Sequence, residues 1–340
     1  MIVPALLITT LAGILGGSVL APIKRMTQWP FGKSWAIYSV WAYLVSPWLL
    51  ALLTVPHLTR IYTQVSLKTM LICAGCGVGW GTAVVLFGIA VNLIGISLAT
   101  ALTYGFSIAV GSLAPLLIAH PERLLSKQGL GIALADAGIV AGVFVCAWAG
   151  KQRDAVGGAQ TAESTPSDEA KGRFLPGVLA ALLAAALSSL LNIALAFGGE
   201  FNRLAIANGA SPLNAANAQW AFTVTFGYLP NVLLSVVVFS RRGLWKNFFE
   251  GPVSYWVWAA GMAFMWIAGT ALYGAGANLL GEIGPVIGWP IYMSLSILAG
   301  VFWGWMMGEW SRVSGRVVRH LELGIVLQVV SIVFLGVAGK

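Results

Sequence analysis

KQRDAVGGAQTAESTPSDEAKGR, residues 151–173, is the one clearly soluble stretch of this chain, and it sits near the middle of 340 residues. Its Gly, Ser, Thr and Pro residues and its mixed charges cannot bury a core. On both sides the sequence becomes apolar. The chain is 59% hydrophobic and only 9% charged, whereas about a quarter of the residues of a soluble globular protein are charged. A spanning helix needs about 20 mostly apolar residues, because lipid offers the backbone no water to bond. Five such stretches precede the soluble segment, at 2–22, 34–56, 69–91, 97–119 and 129–149, and five follow it, at 174–197, 213–239, 253–275, 286–307 and 318–338. Alternating short strands are absent, so a barrel is not supported. The expected fold is an all-α polytopic membrane protein with ten transmembrane helices.

An odd number of crossings before the linker turns the second half upside down relative to the first. The chain therefore divides into a first five-helix repeat (1–150), a cytoplasmic linker (151–173) and a second five-helix repeat (174–340). Weak internal similarity sits where a duplication puts it. Gly16-Gly17 in LAGILGGSVLAPIKR aligns with Gly198-Gly199 in LNIALAFGGEFNR, and Ser107-Ile-Ala-Val-Gly111 aligns with Ser296-Ile-Leu-Ala-Gly300. Two inverted repeats are the architecture that many secondary transporters use for alternating access, with the substrate near the midplane between halves. Gly300, Gly304 and Gly308 recur every fourth residue, as do Ser107 and Gly111, and small residues at that spacing let helices approach closely.

The net charge is +8. Its Lys and Arg residues are scattered over short loops rather than gathered in one basic domain, which argues against a nucleic-acid partner. Counting loops alternately, one side holds Lys24, Arg25, Lys33, Lys151, Arg153, Lys171, Arg173, Arg241, Arg242, Lys246, Arg312, Arg316 and Arg319. The other holds Arg60, Lys68, Arg123, Lys127, Arg203 and Lys340. The positive-inside rule makes the first group cytoplasmic and places both termini outside, in a bacterial-type inner membrane. The first apolar stretch has no basic residue before it and no small-residue cleavage site after it, so it reads as a retained helix.

Cys73, Cys76 and Cys146 all fall inside expected spans, which excludes a secreted disulfide framework. Cys73-Ala-Gly-Cys76 has CxxC spacing, but in an apolar helix it reads as small-residue packing. His57, His120 and His320 have no metal-ligand spacing, and no cofactor is expected.

Several short motifs carry a family resemblance. They are Ala21-Pro22-Ile23-Lys24 with Trp29 following, Pro47-Trp48, Trp80-Gly81, Gly95-Ile-Ser97, Met265-Trp266, Trp289 followed by Met293-Ser294, and Glu309-Trp310. In this order and spacing they resemble the L-rhamnose:proton symporter family of the drug/metabolite transporter superfamily, over nearly all ten expected helices. The resemblance implies two inverted five-helix repeats and proton-driven uptake of a deoxy sugar. The chain departs from the family at Gly81-Thr-Ala-Val-Val-Leu-Phe-Gly88 and at Gly269, where amides are expected, and this leaves the particular sugar open.

A sugar carrier must replace hydroxyl hydration with hydrogen bonds and must cover an apolar C–H face with a flat ring. Trp80, Trp266 and Trp289 lie within spans rather than at their margins and are candidate lining residues. Polar side chains inside spans need a partner or a cavity, which adds Tyr104, Asn192, Gln219, Asn231, Tyr273 and Tyr292. For each aromatic and amide the competing reading is helix packing or an interhelical hydrogen bond. Tyr228 belongs to the same polar group. Trp245, Trp256, Trp258 and Trp310 lie near span ends and read as interfacial belt.

Proton coupling needs an acid whose affinity for protons changes between states, and burial favours the neutral carboxyl. Glu200 and Asp136 are the candidates. Asp136 is eight residues into the fifth stretch, where a charge costs about 2.5–3.5 kcal/mol on insertion scales unless it reaches the interface. Glu200 follows the Gly198-Gly199 break and precedes Arg203 by three residues, the spacing of an intrahelical ion pair. Beyond it, Glu200 to Asn208 reads as a short amphipathic turn closed by Gly209, with Ser211 as N-cap and Pro212 in the first turn of the next helix. That start places Asn214 and Asn217 on one helix face, as a candidate outer gate.

These features favour a proton-coupled carrier for a small neutral sugar, in the lipid bilayer as a monomer or homodimer. A metabolite or drug exporter, or a nucleotide-sugar exchanger of the same superfamily, is the alternative. Neither GxSxG nor HExxH occurs, so an enzyme is not expected. No selectivity-filter motif points to a channel.

Overall fold

The computed structural model describes residues 2–119, 121–158, 167–311 and 313–338. The centre of the linker (159–166), His120, Arg312 and Lys340 lie outside the described residues. Among those described, all regular structure is helical. In chain order the helices are α1 (Ile2–Ser18), α2 (Phe31–Val40), α3 (Ser46–Thr54), α4 (Leu58–Gln64), α5 (Leu67–Ile94), α6 (Ile96–Ala119) and α7 (Lys127–Gly158). They continue as α8 (Ser167–Ser188), α9 (Leu190–Phe197), α10 (Gly199–Ala207), α11 (Ala216–Arg242), α12 (Val253–Leu280), α13 (Gly284–Met306) and α14 (Gly315–Ala338).

Nine helical stretches among the described residues are long and apolar enough to cross a membrane. The expected stretches at 253–275 and 286–307 fall within one of them, Val253–Met306, which is 54 residues long. It is interrupted at Gly281, whose φ of 73° opens a short 3-10 turn over Gly281–Ile283. The protein is thus an all-helical, multi-pass membrane protein. The ends of the soluble segment are more regular than its composition implies, since α7 runs on to Gly158 and α8 begins at Ser167.

The chain forms two compact units, residues 1–82 with 190–284, and residues 83–189 with 285–340. In the first unit α1 packs along α12, and α11 lies against α2, α3 and α10. Helices α5 and α11 approach most closely where small residues permit it. A Cβ on Gly77 would stand 2.1 Å from the Thr223 carbonyl oxygen, and one on Gly81 would stand 2.0 Å from that of Gly227. In the second unit α14 packs along α7, and α6 packs against both α7 and α8.

The glycine stripe expected at 300, 304 and 308 does not make a helix contact. Gly300 has open space around it, and Gly304 makes room for Glu309 and Trp310. Gly308 lies beyond the end of α13 with φ 76°. The working pair is Gly77 and Gly81, also four apart. By contrast, Gly111 is needed, because the Trp289 indole occupies the space its Cβ would take.

The segment around 198–216 follows the expected order with one shift. Helix α9 stops at Phe197, the chain bends at Gly198, α10 is the short amphipathic piece, and Gly209 ends it with φ 95°. Helix α11, however, starts at Ala216 rather than at Pro212. Residues 212–215 form a turn, in which the Asn214 amide donates to the Ser211 carbonyl (3.0 Å). Proline at 212 favours that turn as readily as a first helical turn, and the N-cap position of α11 falls to Ala215, which has no side-chain acceptor.

Candidate functional site

Helix α2 does not pass directly into α3. A π-helical turn, Trp41–Val45, joins them, and the Ser46 amide donates to the Trp41 carbonyl five residues back. Pro47 explains the widening: it has no N–H to offer the Tyr43 carbonyl, and its ring would clash there in a regular α-helix. Extra residues of this kind are frequent at functional sites.

The turn delivers Tyr43 to the pair Trp80 and Trp266. The two indoles are stacked with centroids 5.5 Å apart and planes 22° apart. Tyr43 meets both with its ring nearly perpendicular, at 5.1 Å from Trp80 and 5.3 Å from Trp266. Trp80 is buried against Gly227, and Trp266 keeps partial exposure. Next to this cluster, Asn231 ties three segments together. Its Nδ2 donates to the carbonyls of Gly227 (3.0 Å) and Gly81 (3.3 Å), and its Oδ1 accepts from the Trp35 indole (3.3 Å).

A second polar group in the same unit surrounds the break between α9 and α10. The Tyr273 hydroxyl donates to Asn192 Oδ1, and both residues are buried. Gln219 Nε2 donates to the Ala194 carbonyl and lies 3.7 Å from Cys73 Sγ, while its Oε1 is buried without a partner. Trp220 Nε1 is likewise buried and unpartnered. Discontinuous helices with polar groups at the break are where many transporters bind their substrates.

The backbone joins the expected gate residues, the Asn217 amide donating to the Asn214 carbonyl (2.9 Å). Asn214 is in the turn and Asn217 is buried in the first turn of α11, where its Nδ2 donates to Thr54 Oγ1 (2.9 Å). The expected Glu200–Arg203 ion pair does not form. Glu200 accepts instead from the Ser66 amide (3.1 Å), the Ser66 hydroxyl (2.6 Å) and the Thr69 hydroxyl (2.5 Å). Ser66 directly precedes α5, so α10 supplies in trans the carboxylate that a capping box takes from its own third helical residue. Negative charge at that end also complements the helix dipole.

The remaining expected residues belong to the second unit. Tyr104 stacks on Phe87 at 5.7 Å. The Trp289 indole donates to the Ser107 carbonyl (2.9 Å) and lies 6.0 Å from the ring of Tyr292. Asp136 on α7 does not reach the surface: it is 1% exposed, and both carboxylate oxygens lack a hydrogen-bond partner among the described residues. The nearby Ser112 hydroxyl is committed to the Val286 carbonyl (2.8 Å). Gln328, which composition alone does not single out, is fully buried. Its Oε1 accepts from Ser294 (2.8 Å) and its Nε2 points to Cys146 Sγ (3.4 Å).

Trp35 lies near the start of its stretch, and Tyr43, although midway along 34–56, owes its place beside the indoles to the π turn. The readable signal was Pro47. No group of three or more His, Cys, Asp or Glu that could hold a metal occurs among the described residues.

The sequence profile described as "L-rhamnose-proton symport protein (RhaT)" matches residues 3–339. Curated relatives named L-rhamnose-proton symporter, from Salmonella paratyphi B and Salmonella typhimurium, are each 24% identical over 332 residues, covering 94% of this chain and 93% of the relative. These relatives are transporters, not enzymes. The chain belongs to the L-rhamnose-proton symport protein family.

Proposed function

We propose that this protein is a secondary active transporter that takes up a neutral sugar, L-rhamnose or a related deoxy sugar, together with a proton by alternating access. The family match over residues 3–339 carries this reading. Two features of the structure support it. The aromatic group of Tyr43, Trp80 and Trp266 offers a flat apolar surface, and the amides and hydroxyls at Asn192, Gln219 and Tyr273 lie in the same compact unit. Stacking plus convergent polar groups suits a solute with one C–H face and several hydroxyls. In this reading Asn231 holds the aromatic group in place, and Trp289 ties α13 to α6 through the Ser107 carbonyl.

Of the two acids, Asp136 is the better coupling site. Glu200 has three donors and a capping task that fixes its charge. Asp136 is buried, and neither carboxylate oxygen accepts a hydrogen bond of normal geometry among the described residues, so no structural task is seen to need its charge. Glu200→Gln is therefore expected to lower the apparent melting temperature while pH-gradient-driven accumulation persists. Lost accumulation at an unchanged melting temperature would return the coupling role to Glu200.

The topology we favour has ten crossings in two inverted five-helix repeats. The stretch Val253–Met306 is 54 residues long, roughly 80 Å as helix against a hydrocarbon core of about 30 Å, which is enough for two passages. Each compact unit also draws matched elements from both halves: α2–α3 with α11 in one, α6 with α13 and α7 with α14 in the other. Both termini then lie outside the inner membrane, and the more basic loops face the cytoplasm.

The deciding measurement is uptake of a panel of labelled sugars into proteoliposomes, with and without an imposed pH gradient. Accumulation of L-rhamnose or a close relative only under the gradient is expected. Transport of none of the sugars would overturn the sugar reading, and gradient-independent accumulation would overturn symport.

A further inference from the structure

Two indoles with centroids 5.5 Å apart and nearly parallel are in contact with each other. A sugar ring held between them would need about twice the 3.5–4.0 Å contact distance between carbon atoms, so the pair is not a sandwich. Trp80 is buried, with Trp266 stacked on it and Gly227 against its six-membered ring, where an added Cβ would stand 2.7 Å from Cε3. Trp266 is the partly exposed member. Its ring can present one face to a solute only if the other side is held.

Tyr43 does the holding together with Trp80. Its ring is 2% exposed and nearly perpendicular to both indoles, with interplanar angles of 78° and 73°. This places the positive edge of one ring system against the negative face of another. Tyr43 reaches this position from the π turn Trp41–Val45. Each α-helical residue turns the chain by about 100°, so without the extra residue its ring would leave the indole pair.

We propose that Tyr43 is a positioning residue for sugar transport: carried by the π turn, it braces Trp266 as the stacking platform for the apolar face of a pyranose, with Trp80 as the backing ring. This rests on the sugar reading above and adds to it a residue and a division of labour. Trp266 touches the solute, whereas Tyr43 and Trp80 act through Trp266.

The test is initial-rate uptake of labelled L-rhamnose in proteoliposomes, normalised to monodisperse protein, with tryptophan emission recorded on the same samples. Trp266→Ala is expected to raise KM about tenfold or more. Tyr43→Leu removes the ring edge and is expected to raise KM about threefold to tenfold, the range of one lost aromatic contact, with Vmax retained and the tryptophan emission shifted. Tyr43→Phe keeps the edge and is expected to restore the wild-type KM. If Tyr43→Leu yields no folded protein, Tyr43→Met fills similar space without a ring and is read in the same way. A wild-type KM in the ringless variant beside an impaired Trp266→Ala overturns the bracing role and leaves the platform standing. A KM raised equally in Tyr43→Phe overturns it too, because the hydroxyl would then be the working group. A wild-type KM in Trp266→Ala defeats the platform itself.

Discussion

Asp136→Asn is expected to reduce sugar accumulation under an imposed pH gradient to the level of empty liposomes, while exchange of labelled for unlabelled sugar across the same membrane continues. Asp136 is 1% exposed on α7, and neither carboxylate oxygen has a hydrogen-bond partner among the described residues. A structural aspartate in such a place would be tied to a cation or to several donors, because an isolated buried charge is among the costliest features a protein can hold. The adjacent Ser112 hydroxyl serves the Val286 carbonyl instead. Asparagine preserves the shape and has no acidic proton to take up or release. Exchange requires only that the loaded carrier reorient, so it survives the loss of the titrating group. The apparent melting temperature should stay level or rise, since the replacement removes a costly charged state. Gradient-driven accumulation at the wild-type level would eliminate Asp136 as the coupling acid, and a variant that neither accumulates nor exchanges sugar would point to a structural task.

Gly81→Ala is expected to be severely destabilising, although alanine is the best helix former and gains roughly 1 kcal/mol over glycine in an open helix. The added Cβ would sit 2.0 Å from the Gly227 oxygen, 2.7 Å from its carbonyl carbon and 2.9 Å from its Cα, all of them backbone atoms. Helices α5 and α11 must then move apart. The separation strains the Asn231 bond to the Gly81 carbonyl and loosens Trp80 on Gly227. Overpacking commonly costs about 1–3 kcal/mol, and immovable backbone puts this site at the upper end. Gly88→Ala is the matched control on the same helix, because nothing lies within 4 Å of its Cβ position. Thermal unfolding followed by size-exclusion chromatography should show Gly81→Ala falling by many degrees and Gly88→Ala holding or rising. Equal melting temperatures in the two variants would refute the close-contact account.

The two predictions differ in how much of each could be read beforehand. Asp136 was visible as an acid inside an apolar stretch, but its burial was not, because which side of a helix meets protein is set by packing against remote parts of the chain. Gly77 and Gly81 have the same four-residue spacing as Gly300 and Gly304, and spacing alone cannot tell which pair meets a backbone and which meets open space or a side chain. The break at Gly198 and the turn at Gly209 were readable from local chemistry. The start of α11 was not, because Pro212 is compatible with both a turn and a first helical turn.

By itself the sequence determined that this chain is helical, crosses a membrane many times and has a soluble segment near its middle. Each of these follows from the cost of leaving backbone or charge unsatisfied in lipid, which depends on composition over about 20 residues and on nothing distant. Family membership was legible for a similar reason, since short motifs survive in order. Only the tertiary structure decided which polar groups are spent on one another. Asn231 binds two carbonyls and an indole, Glu200 caps a helix 134 residues earlier, and the Asp136 oxygens accept no hydrogen bond among the described residues. Whether a buried group is free to act depends on neighbours from remote parts of the chain, and helix packing, not local pattern, chooses those neighbours.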